Sequence, residues 1–239
     1  MHTNISLSIV IPFYNEEQRL PQTLKSLNEL LKYNFFPDLE IIFVNDGSDD
    51  RGVDMVEKFN YPFKVKLVSY ELNKGKGHAV KQGMLASSKD YSLISDADMS
   101  TPLSEIAKML PSMQEGAPVI IGTRKGQKCL VVKHQPWYRK KMGQVFTFLA
   151  RLILQVNVSD FTCGFKCFSR SAVQKIFNQS QINRWGYDAE ILFLAKKFKL
   201  NIKEIPVIWN NNEATRVKLL KDVPRSFLEL MKIRYLHGK

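Results

Sequence analysis

The first 123 residues alternate short β-branched runs with segments of helical spacing, and this pattern restricts the fold more than any other feature. Leu7–Ile11 is predicted to be a buried strand that ends at Pro12, and leucines then recur at helical spacing from Leu20 to Leu31. The same alternation continues through strands at Glu40–Val44, Val65–Tyr70, Tyr91–Ser95 and Val119–Thr123 and helices at Val53–Phe59, Gly75–Leu85 and Pro102–Met113. Strands that alternate with helices predict an α/β fold, with a mostly parallel sheet covered by helices on both faces.

The second half of the chain is less regular, but it contains no linker, internal repeat or low-complexity tract. We predict a basic loop, three helices and two strands there: Gly126–Pro136, then Trp137–Leu154, Gly186–Phe198 and Val223–Tyr235, and Thr162–Phe168 and Ile202–Trp209. With 239 residues, of which 44% are apolar, the chain is long enough to bury one substantial core. We therefore predict a single domain over residues 1–239.

Three polar turns follow predicted strands in the first half. They are Pro12–Glu16, Asn45–Asp50 and Asp96–Asp98. In open α/β sheets, ligands bind beyond the carboxyl ends of the strands. The three turns are therefore expected to converge on one crevice.

The triplet Asp96-Ala97-Asp98 is the first candidate for chemistry. On extended backbone, residues two apart point to the same side, so both carboxylates can face one cation. Mg²⁺ usually takes one or two carboxylates together with the phosphates of a substrate, and such a metal eases the departure of a diphosphate. A solvated loop is the alternative for the triplet alone. The acidic turns predicted beside it favour a metal–diphosphate site.

The net charge indicates which classes of partner the chain can bind, and the cysteine content indicates whether it forms a metal site or disulfides. The chain has 35 Lys and Arg against 23 Asp and Glu, a net charge of +12, which favours nucleic acid, phosphorylated metabolites or acidic lipid headgroups. Cys129, Cys163 and Cys167 form neither a metal quartet nor a disulfide framework, so we expect buried thiols. The chain shows no secretory signal and no apolar run of about 20 residues. We therefore expect a cytoplasmic protein.

Six segments, in this order, resemble the motif series of family 2 glycosyltransferases. They are Ser8–Glu16, Val44–Ser48, Asn73–Gly77, Asp96–Asp98, Asp160–Phe168 and Arg184–Glu190. The last two are similar to the branch that glycosylates polyprenyl or dolichyl phosphate, and look nearer to its glucosyl members. The resemblance covers nearly the whole chain. It implies a GT-A fold, Rossmann-like in its sheet, an inverting mechanism, a UDP- or GDP-hexose donor, a lipid-linked phosphate acceptor and a Mg²⁺ or Mn²⁺ cofactor.

The resemblance also implies roles for individual residues. The nucleoside would be held by Pro12, Tyr14, Glu16, Val44 and Asp46. Asp96 and Ala97 would contact the nucleotide, and Asp98 would be the main metal ligand, with Asp96 as a second. Ser100 stands where mannosyltransferases of this branch often carry Gln, so it is a weak candidate for a metal contact. Residues 1–123 would thus form a nucleotide-binding half and residues 124–239 an acceptor-binding half.

Four cationic residues are further candidates. In the family, arginines at the positions of Arg124 and Arg139 bind the acceptor phosphate and the donor diphosphate. Arg216 and Lys218 lie in a late loop that the resemblance places over the donor. Arginine suits phosphate because its planar fork can donate two parallel hydrogen bonds.

The acceptor determines whether a general base is needed. A phosphate monoester, with a second pKa of about 6, is already mostly ionised near neutral pH. A saccharide hydroxyl would need a base within hydrogen-bond reach. Asp188, beside Trp185 and Tyr187 at a predicted helix start, is the candidate base. We predict that Asp188 orients the acceptor or a loop, with the role of base as the alternative.

A membrane contact would have to come from the protein surface. One predicted helix carries an apolar face flanked by basic residues: Val145, Phe146, Leu149, Leu152 and Ile153, with Arg139, Lys140, Lys141 and Arg151. Interfacial helices and core helices both show this pattern. We predict peripheral binding to an anionic membrane surface on its cytoplasmic face, with core packing as the alternative.

Two other function classes are less compatible with the sequence. A sugar-phosphate nucleotidyltransferase needs a glycine-rich loop after its first strand, where this chain has Phe13–Glu16. A non-catalytic anion-binding module for nucleic acid should interleave aromatic and basic residues on one face, and here they are scattered. We therefore expect no nucleic-acid partner.

Overall fold

The computed structural model describes residues 4–33, 35–125, 131–133, 137–210 and 219–238. Its strands are β1 (Leu7–Phe13), β2 (Leu39–Asp46), β3 (Lys64–Tyr70), β4 (Tyr91–Ile94), β5 (Val119–Thr123), β6 (Val131–Lys133), β7 (Lys166–Ser169), β8 (Ile202–Pro206) and β9 (Trp209–Asn210). Its α-helices are α1 (Leu20–Leu31), α2 (Gly52–Lys58), α3 (Lys76–Ala86), α4 (Leu110–Gln114), α5 (Trp137–Leu154), α6 (Arg170–Phe177), α7 (Tyr187–Lys197) and α8 (Leu219–His237). A 3₁₀ helix at Leu103–Met109 leads into α4.

Seven strands form one sheet in the order β3-β2-β1-β4-β7-β5-β8, and β6 pairs with β9 apart from it. Strand β7 runs antiparallel to both of its neighbours, and the other neighbouring pairs of the large sheet are parallel. The predicted α/β fold with a mostly parallel sheet is therefore confirmed. The sheet contains strands from both halves of the chain.

Alternate residues of the central strands supply two apolar cores, one on each face of the sheet. In β1, Val10 belongs to one core and Ile9 and Ile11 belong to the other. The first core is covered by α3, α5, α6, α7 and α8, and the second by α1 and residues 103–113. Because both faces are covered, β1 is buried along its whole length, and six of its seven residues are apolar, with Ser8 as the exception.

Four segments differ from the prediction. The strand predicted from Thr162 begins only at Lys166, because the Asp160 carboxylate accepts the Thr162 N–H at 3.1 Å and turns the chain. The helix α6 was not predicted, although Ser169 caps it by accepting the Ala172 N–H at 3.3 Å. Strand β6 lies inside the predicted loop 126–136, and its partner β9 is distant in sequence.

The predicted strand Ile202–Trp209 is interrupted between β8 and β9. The N–H of Val207 donates to the carbonyl of Thr123 at 3.1 Å, whereas the N–H of Ile208 donates to the Glu105 carboxylate at 2.8 Å. Since Glu105 lies in the 3₁₀ helix and is only 6% exposed, this side-chain bond ends the strand and redirects the chain.

Helix α3 lies directly against the middle of the sheet because Gly83 has no side chain. A Cβ at this position would overlap Val10 of β1 and lie 2.7 Å from Cγ2 of Val44 in β2. The contact brings the start of α3 close to the carboxyl ends of both strands.

We predict that Gly83→Ala lowers the free energy of unfolding by about 1–3 kcal/mol, because the added methyl overpacks the interface with β1 and β2. The matched control is Gly143→Ala in α5, where a Cβ meets nothing within 4 Å. That change should raise the free energy by up to about 1 kcal/mol through helix propensity. Urea unfolding of both variants measures the difference, and an equal gain in stability would show that α3 is not packed this closely.

Candidate functional site

The three polar turns lie side by side at the carboxyl edge of the sheet, as predicted. They follow β1, β2 and β4, which are adjacent in the order β2-β1-β4. The turns are also bonded to one another: the N–H of Asn15 donates to Ser48 Oγ at 3.0 Å and the N–H of Asp49 donates to Asn15 Oδ1 at 3.0 Å. The Thr23 hydroxyl of α1 ties the carbonyl of Ala97 to the same edge at 2.5 Å.

Asp46, the last residue of β2, organises the turn that follows β3. Its carboxylate, in a residue that is 3% exposed, accepts hydrogen bonds from the Tyr70 hydroxyl at 2.7 Å and from the N–H groups of Lys74 and Gly75 at 2.9 Å each. The Asn73 amide donates a further bond at 3.0 Å. Asp46 therefore shapes the wall of the crevice, a task that its predicted role as a nucleoside contact did not include.

Two glycines of the Asn73–Gly77 segment allow the start of α3 to meet residues 182–187. Gly75 has a φ of +105°, and a Cβ there would overlap the carbonyl of Asn183. A Cβ on Gly77 would overlap the carbonyl of Ile182 and lie 2.7 Å from Cβ of Tyr187. The sequence shows only the order in which the Asn73–Gly77 and Arg184–Glu190 motifs occur, whereas the structure shows that the two segments are in contact.

Asp96 is held by a lysine from that same segment. Lys76 Nζ lies 2.6 Å from Asp96 Oδ1 and stands over the rings of Trp185 and Tyr187 at 5.7 and 5.9 Å from their centroids. Gly164 packs against the Asp96 carboxylate, since a Cβ there would lie 2.5 Å from Cγ. Burial opposes the charge of Asp96, but Lys76 and more distant cations together hold the pKa of its carboxyl below the ordinary value.

Asp98 does not sit on extended backbone, so the geometric reason for pairing it with Asp96 is wrong. Strand β4 ends at Ile94, and the N–H of Met99 donates to the carbonyl of Asp96 at 3.1 Å, which makes a turn. Met99 has a φ of +50° in this turn. Asp98 Oδ1 accepts the Ser100 N–H at 2.9 Å, and Oδ2 accepts no hydrogen bond from the described residues. Asp98 therefore keeps a carboxylate oxygen for a ligand.

Arg124, directly after β5, is bound by an aspartate that the sequence did not single out. Its Nε and Nη2 atoms donate to the two Asp160 oxygens at 2.8 and 2.9 Å, and Nη2 also donates to Thr162 Oγ1 at 2.7 Å. Its guanidinium lies 5.3 Å from the ring centroid of Trp209. The guanidinium of Arg124, which was predicted to bind phosphate, thus binds the Asp160 carboxylate. Burial opposes the charge of Asp160, but Arg124 holds the pKa of its carboxyl well below the ordinary value.

Asp188 lies in the first turn of α7 and is 7% exposed. Its Oδ1 atom pairs with the ammonium of Lys166, a residue with no exposed surface that also donates to the carbonyl of Cys163 at 2.6 Å. Burial raises the pKa of the Asp188 carboxyl, while Lys166 and Lys76 oppose that rise. The sequence indicates Asp188 as a candidate residue but does not indicate that Lys166 is its partner.

The other predicted nucleoside residues differ in accessibility. Tyr14 is 37% exposed, and Glu16 forms an ion pair with Arg19 at 2.9 Å. Pro12 is buried, and Val44 has an exposure of 0% because it packs in the core, so its side chain is not presented to a ligand.

The segment that precedes residues 211–218 is anchored beside the Asp98 turn. The N–H of Asn210 donates to the carbonyl of Ser100 at 2.8 Å. Arg216 and Lys218 follow in the chain but lie outside the described residues, as does the side chain of Arg139.

The cysteines are buried where they are described. Cys163 and Cys167 are free thiols with exposures of 1% and 0%, which confirms the prediction for these two residues. Burial raises the pKa of the Cys163 thiol to about 11. Cys129 lies outside the described residues.

The apolar face predicted on α5 is divided between core and surface. Phe146, Leu149 and Ile153 are partly buried and pack against the core, which is the alternative given for this face. Val145 and Leu152 are 57% and 66% exposed. None of the helices in the described part of the chain combines the length and the apolar character needed to cross a membrane.

Comparison with known proteins identifies the relatives of the chain. Residues 8–177 match the family described as glycosyl transferase family 2. A dolichyl-phosphate beta-glucosyltransferase of Drosophila melanogaster is 31% identical over 229 residues, which cover 90% of this chain and 70% of that protein. The enzyme of the same name from Saccharomyces cerevisiae is 30% identical over 259 residues, which cover 98% of this chain and 76% of that protein.

Solved structures show the same fold at lower identity. Glucosyl-3-phosphoglycerate synthase from Mycobacterium tuberculosis, in complex with Mn²⁺, uridine diphosphate and glucosyl-3-phosphoglycerate, superposes with a TM-score of 0.70 at 17% identity. The match covers 98% of this chain and 80% of that chain. Mannosyl-3-phosphoglycerate synthase from Rubrobacter xylanophilus gives a TM-score of 0.71 at 16% identity, over 97% and 73% of the two chains. The expected GT-A fold is confirmed.

We predict that Asp160→Asn lowers the free energy of unfolding by about 3 kcal/mol at pH 7, because it leaves the Arg124 guanidinium without its charged partner. The folded pKa of Asp160 is depressed, so its contribution is complete above the unfolded pKa of about 3.9 and is lost as the pH falls toward the folded pKa. Urea unfolding from pH 7 to pH 3 should show a constant difference between the two proteins down to about pH 4 and the beginning of its decrease below that pH.

The control for that prediction is Asp38→Asn, which removes a carboxylate from an ion pair with Lys89 whose acidic side chain is 60% exposed. Its effect should stay below about 1 kcal/mol at every pH. Equal effects of the two substitutions would contradict the assignment of Asp160 as the residue that holds Arg124.

Proposed function

The chain belongs to glycosyl transferase family 2, and from this premise we propose that it transfers glucose from a nucleotide-sugar donor to dolichyl phosphate or a related polyprenyl phosphate, with the help of a divalent metal ion. The relatives named above are dolichyl-phosphate beta-glucosyltransferases, and the match extends over most of their length. The donor that we propose first is UDP-glucose.

The observation that carries the proposal is the composition of the crevice at the carboxyl edge of the sheet. Asp98 has there a carboxylate oxygen that accepts no hydrogen bond from the described residues, and Lys76 and Arg124 place two cations around its neighbour Asp96. A diphosphate needs such a combination of cations and metal-binding oxygen to be held and to leave.

The residues present fit a hard divalent cation. Asp98 would be the main protein ligand, and Asp96 would support it from its ion pair with Lys76. No group of three or more His, Cys, Asp or Glu side chains in the described ranges could hold a metal alone, which suits an ion that takes further ligands from phosphate and water. Mg²⁺ or Mn²⁺ bound there would neutralise charge on the diphosphate leaving group.

The remaining site residues act on the donor and on the acceptor phosphate. We assign Pro12, Tyr14, Glu16, Asp46, Ala97 and the backbone at Val44 to the nucleoside side of the crevice. Tyr14, the most exposed of them, can present its ring to the base. Arg139, Arg216 and Lys218 are proposed to bind phosphate groups alongside Arg124.

The acceptor chemistry suits a phosphate. A phosphate monoester is already ionised near neutral pH and can attack without losing a proton to the protein. Asp188 is paired with Lys166, which favours its ionised form and suits a residue that orients a group. The second candidate, transfer to a saccharide hydroxyl with Asp188 as base, is favoured by the burial that raises the pKa of this carboxyl.

We predict that the purified chain, given UDP-glucose, short-chain dolichyl phosphate and Mn²⁺, forms the glucosylated lipid. Asp98→Asn should reduce the rate by about 100-fold or more, because the metal loses its main protein ligand. Asp54→Asn, which changes an aspartate whose side chain is 63% exposed in a surface ion pair, is the control and should keep wild-type activity.

The measurement is the radiolabel in the lipid phase. GDP-mannose and a free oligosaccharide are included as competing donor and acceptor. Transfer to the oligosaccharide but not to the lipid phosphate would favour the second candidate, and full activity of Asp98→Asn would refute the metal site.

We further propose that the protein acts at the cytoplasmic face of a membrane and docks through an apolar surface formed by α5 and α8. These two helices pack against each other. Val145, Phe148 and Leu152 of α5 are 57–66% exposed and follow a spacing of three and four residues. Leu228, Met231 and Tyr235 of α8 repeat that spacing with exposures of 50–76%. We call these six residues the α5–α8 surface.

Charge supports a membrane as the occupant of this surface. The protein has a net charge of +12, and exposed basic residues lie on the same two helices: Lys141, Arg151, Lys232 and Arg234. Apolar residues flanked by Lys and Arg are typical of helices that lie in a membrane interface. The cytoplasmic leaflet carries anionic lipids that attract such a surface.

We predict that Phe148→Glu/Leu152→Glu lowers the affinity for phosphatidylserine-containing liposomes at least tenfold, because it places two anions in the α5–α8 surface. The control is Tyr33→Glu, two residues after the end of α1, where an exposed aromatic side chain (54%) lies outside that surface. Co-sedimentation at low salt measures binding, and binding of UDP with Mn²⁺ should be unchanged in both variants. Equal liposome binding by all three proteins would exclude this surface.

A further inference from the structure

Lys166 is a fully buried lysine that the proposed chemistry does not use. It lies in β7, between β4 and β5 in the middle of the sheet, opposite Ile94 on one side and Ile121 on the other. Its exposed fraction is 0%. Burial of an ammonium group is costly unless charged or polar partners replace its water. The partners of Lys166 therefore indicate what the residue does.

Lys166 has two partners, and each of them leads to the crevice. Its ammonium forms an ion pair with Asp188 Oδ1 and donates to the carbonyl of Cys163 at 2.6 Å. Cys163 precedes Gly164, the glycine that lies against the Asp96 carboxylate. One buried ammonium thus fixes the start of α7 and the turn that supports Asp96.

Asp188 is surrounded by charges from several elements. Lys166 faces it from β7, Lys76 from α3, Asp96 from the turn after β4 and Arg124 from the end of β5. The adjacent Tyr187 is fully buried beside it. Lys166 is the cation in direct contact, and Oδ2 of Asp188 accepts no hydrogen bond from the described residues, while 10% of the side chain remains exposed.

We propose that Lys166 is a positioning residue for the transfer reaction: it holds Asp188 as a carboxylate with one oxygen tied and the other directed to the substrates, and it holds Gly164 against Asp96. The inference rests on the proposed function, because it assigns Asp188 to that site. Lys166 itself touches no substrate and acts through the two aspartates.

The loss of Lys166 has a defined effect on Asp188. Burial already raises the pKa of the Asp188 carboxyl, and Lys166 is the strongest group that opposes the rise. Without the ammonium, the pKa rises further, and Asp188 binds a proton at a pH where it is otherwise ionised. A transferase that needs the carboxylate then loses activity near neutral pH and regains it at higher pH.

The test compares Lys166→Met with Lys66→Met. Lys66 forms a similar pair at 2.8 Å with Glu40, whose side chain is fully buried, and lies away from the crevice because Glu40 is at the amino end of β2. In Lys166→Met, kcat at pH 7 should fall at least tenfold and the acidic limb of kcat/KM should move up by about one pH unit or more. In Lys66→Met, the acidic limb of kcat/KM should stay at the same pH as in the wild-type protein. The proposal would be overturned if the acidic limb of kcat/KM in Lys166→Met lay at the same pH as in the wild-type protein.

A second variant covers the case in which Lys166→Met does not fold. Lys166→Met/Asp188→Asn removes both charges, and its pH profile should match that of Asp188→Asn alone. A profile that differs from that of Asp188→Asn would overturn the proposal in that case. Where Lys166→Met folds, the urea midpoint gives a readout without activity: in Lys166→Met it should fall as the pH rises through the elevated pKa of Asp188, whereas the double variant should show no such fall. A fall of equal size in both variants would overturn the proposal.

These outcomes are separable from the fate of the proposed function. The urea comparison uses no donor and no acceptor. If the wild-type chain transfers glucose to no polyprenyl phosphate, the proposed function fails, while the urea midpoints still decide whether Lys166 controls the charge of Asp188.

Discussion

A buried carboxylate is stable only when cations or N–H groups replace its water, and this constraint organises the carboxyl edge of the sheet. Four aspartates there, of which Asp96 is only partly buried, meet it in two ways. Asp46 accepts backbone and side-chain hydrogen bonds from the turn after β3, whereas Asp96, Asp160 and Asp188 each pair with one cation. Asp98, by contrast, has one oxygen that accepts no hydrogen bond from the part of the chain that the structure describes. The edge therefore consists of internally balanced charges around one carboxylate that remains available to a ligand.

The same constraint explains why the motifs combine glycine with lysine. Lys76 pairs with Asp96 from the start of α3, which lies close to residues 182–187, and Gly75 and Gly77 permit that approach because neither carries a Cβ. Gly164 has the same role on the other side of Asp96. The motifs are separate in sequence because each supplies one wall of the crevice, and the glycines mark the places where the walls touch.

The sequence predicts those features that depend on local patterns and misses those that depend on distant partners. The alternation of strands and helices, and the crevice at the carboxyl edge, follow from periodicity and chain order. The antiparallel direction of β7 does not, because Lys166 pairs with Ile94 and Ile121, which are distant in sequence. The same limit hid the pairs Lys166–Asp188 and Arg124–Asp160, 22 and 36 residues apart. A polar turn after β4 was predicted, but the argument for pairing Asp96 with Asp98 assumed extended backbone and did not anticipate the bond from the Met99 N–H to the Asp96 carbonyl.

The acceptor of the proposed reaction has an ionic phosphate head and an apolar chain, and the protein must bind the head while the chain stays in the membrane. Helix α8 connects the two surfaces. Its Glu229 accepts the N–H of Gly186 at 2.6 Å, which fixes the helix beside Trp185 and Asp188. Two turns along the same helix, Tyr235 is 76% exposed in the α5–α8 surface. A helix is rigid, so docking of the α5–α8 surface on a membrane would fix the height of the crevice relative to the lipid headgroups. The phosphate of the acceptor lies at the level of those headgroups.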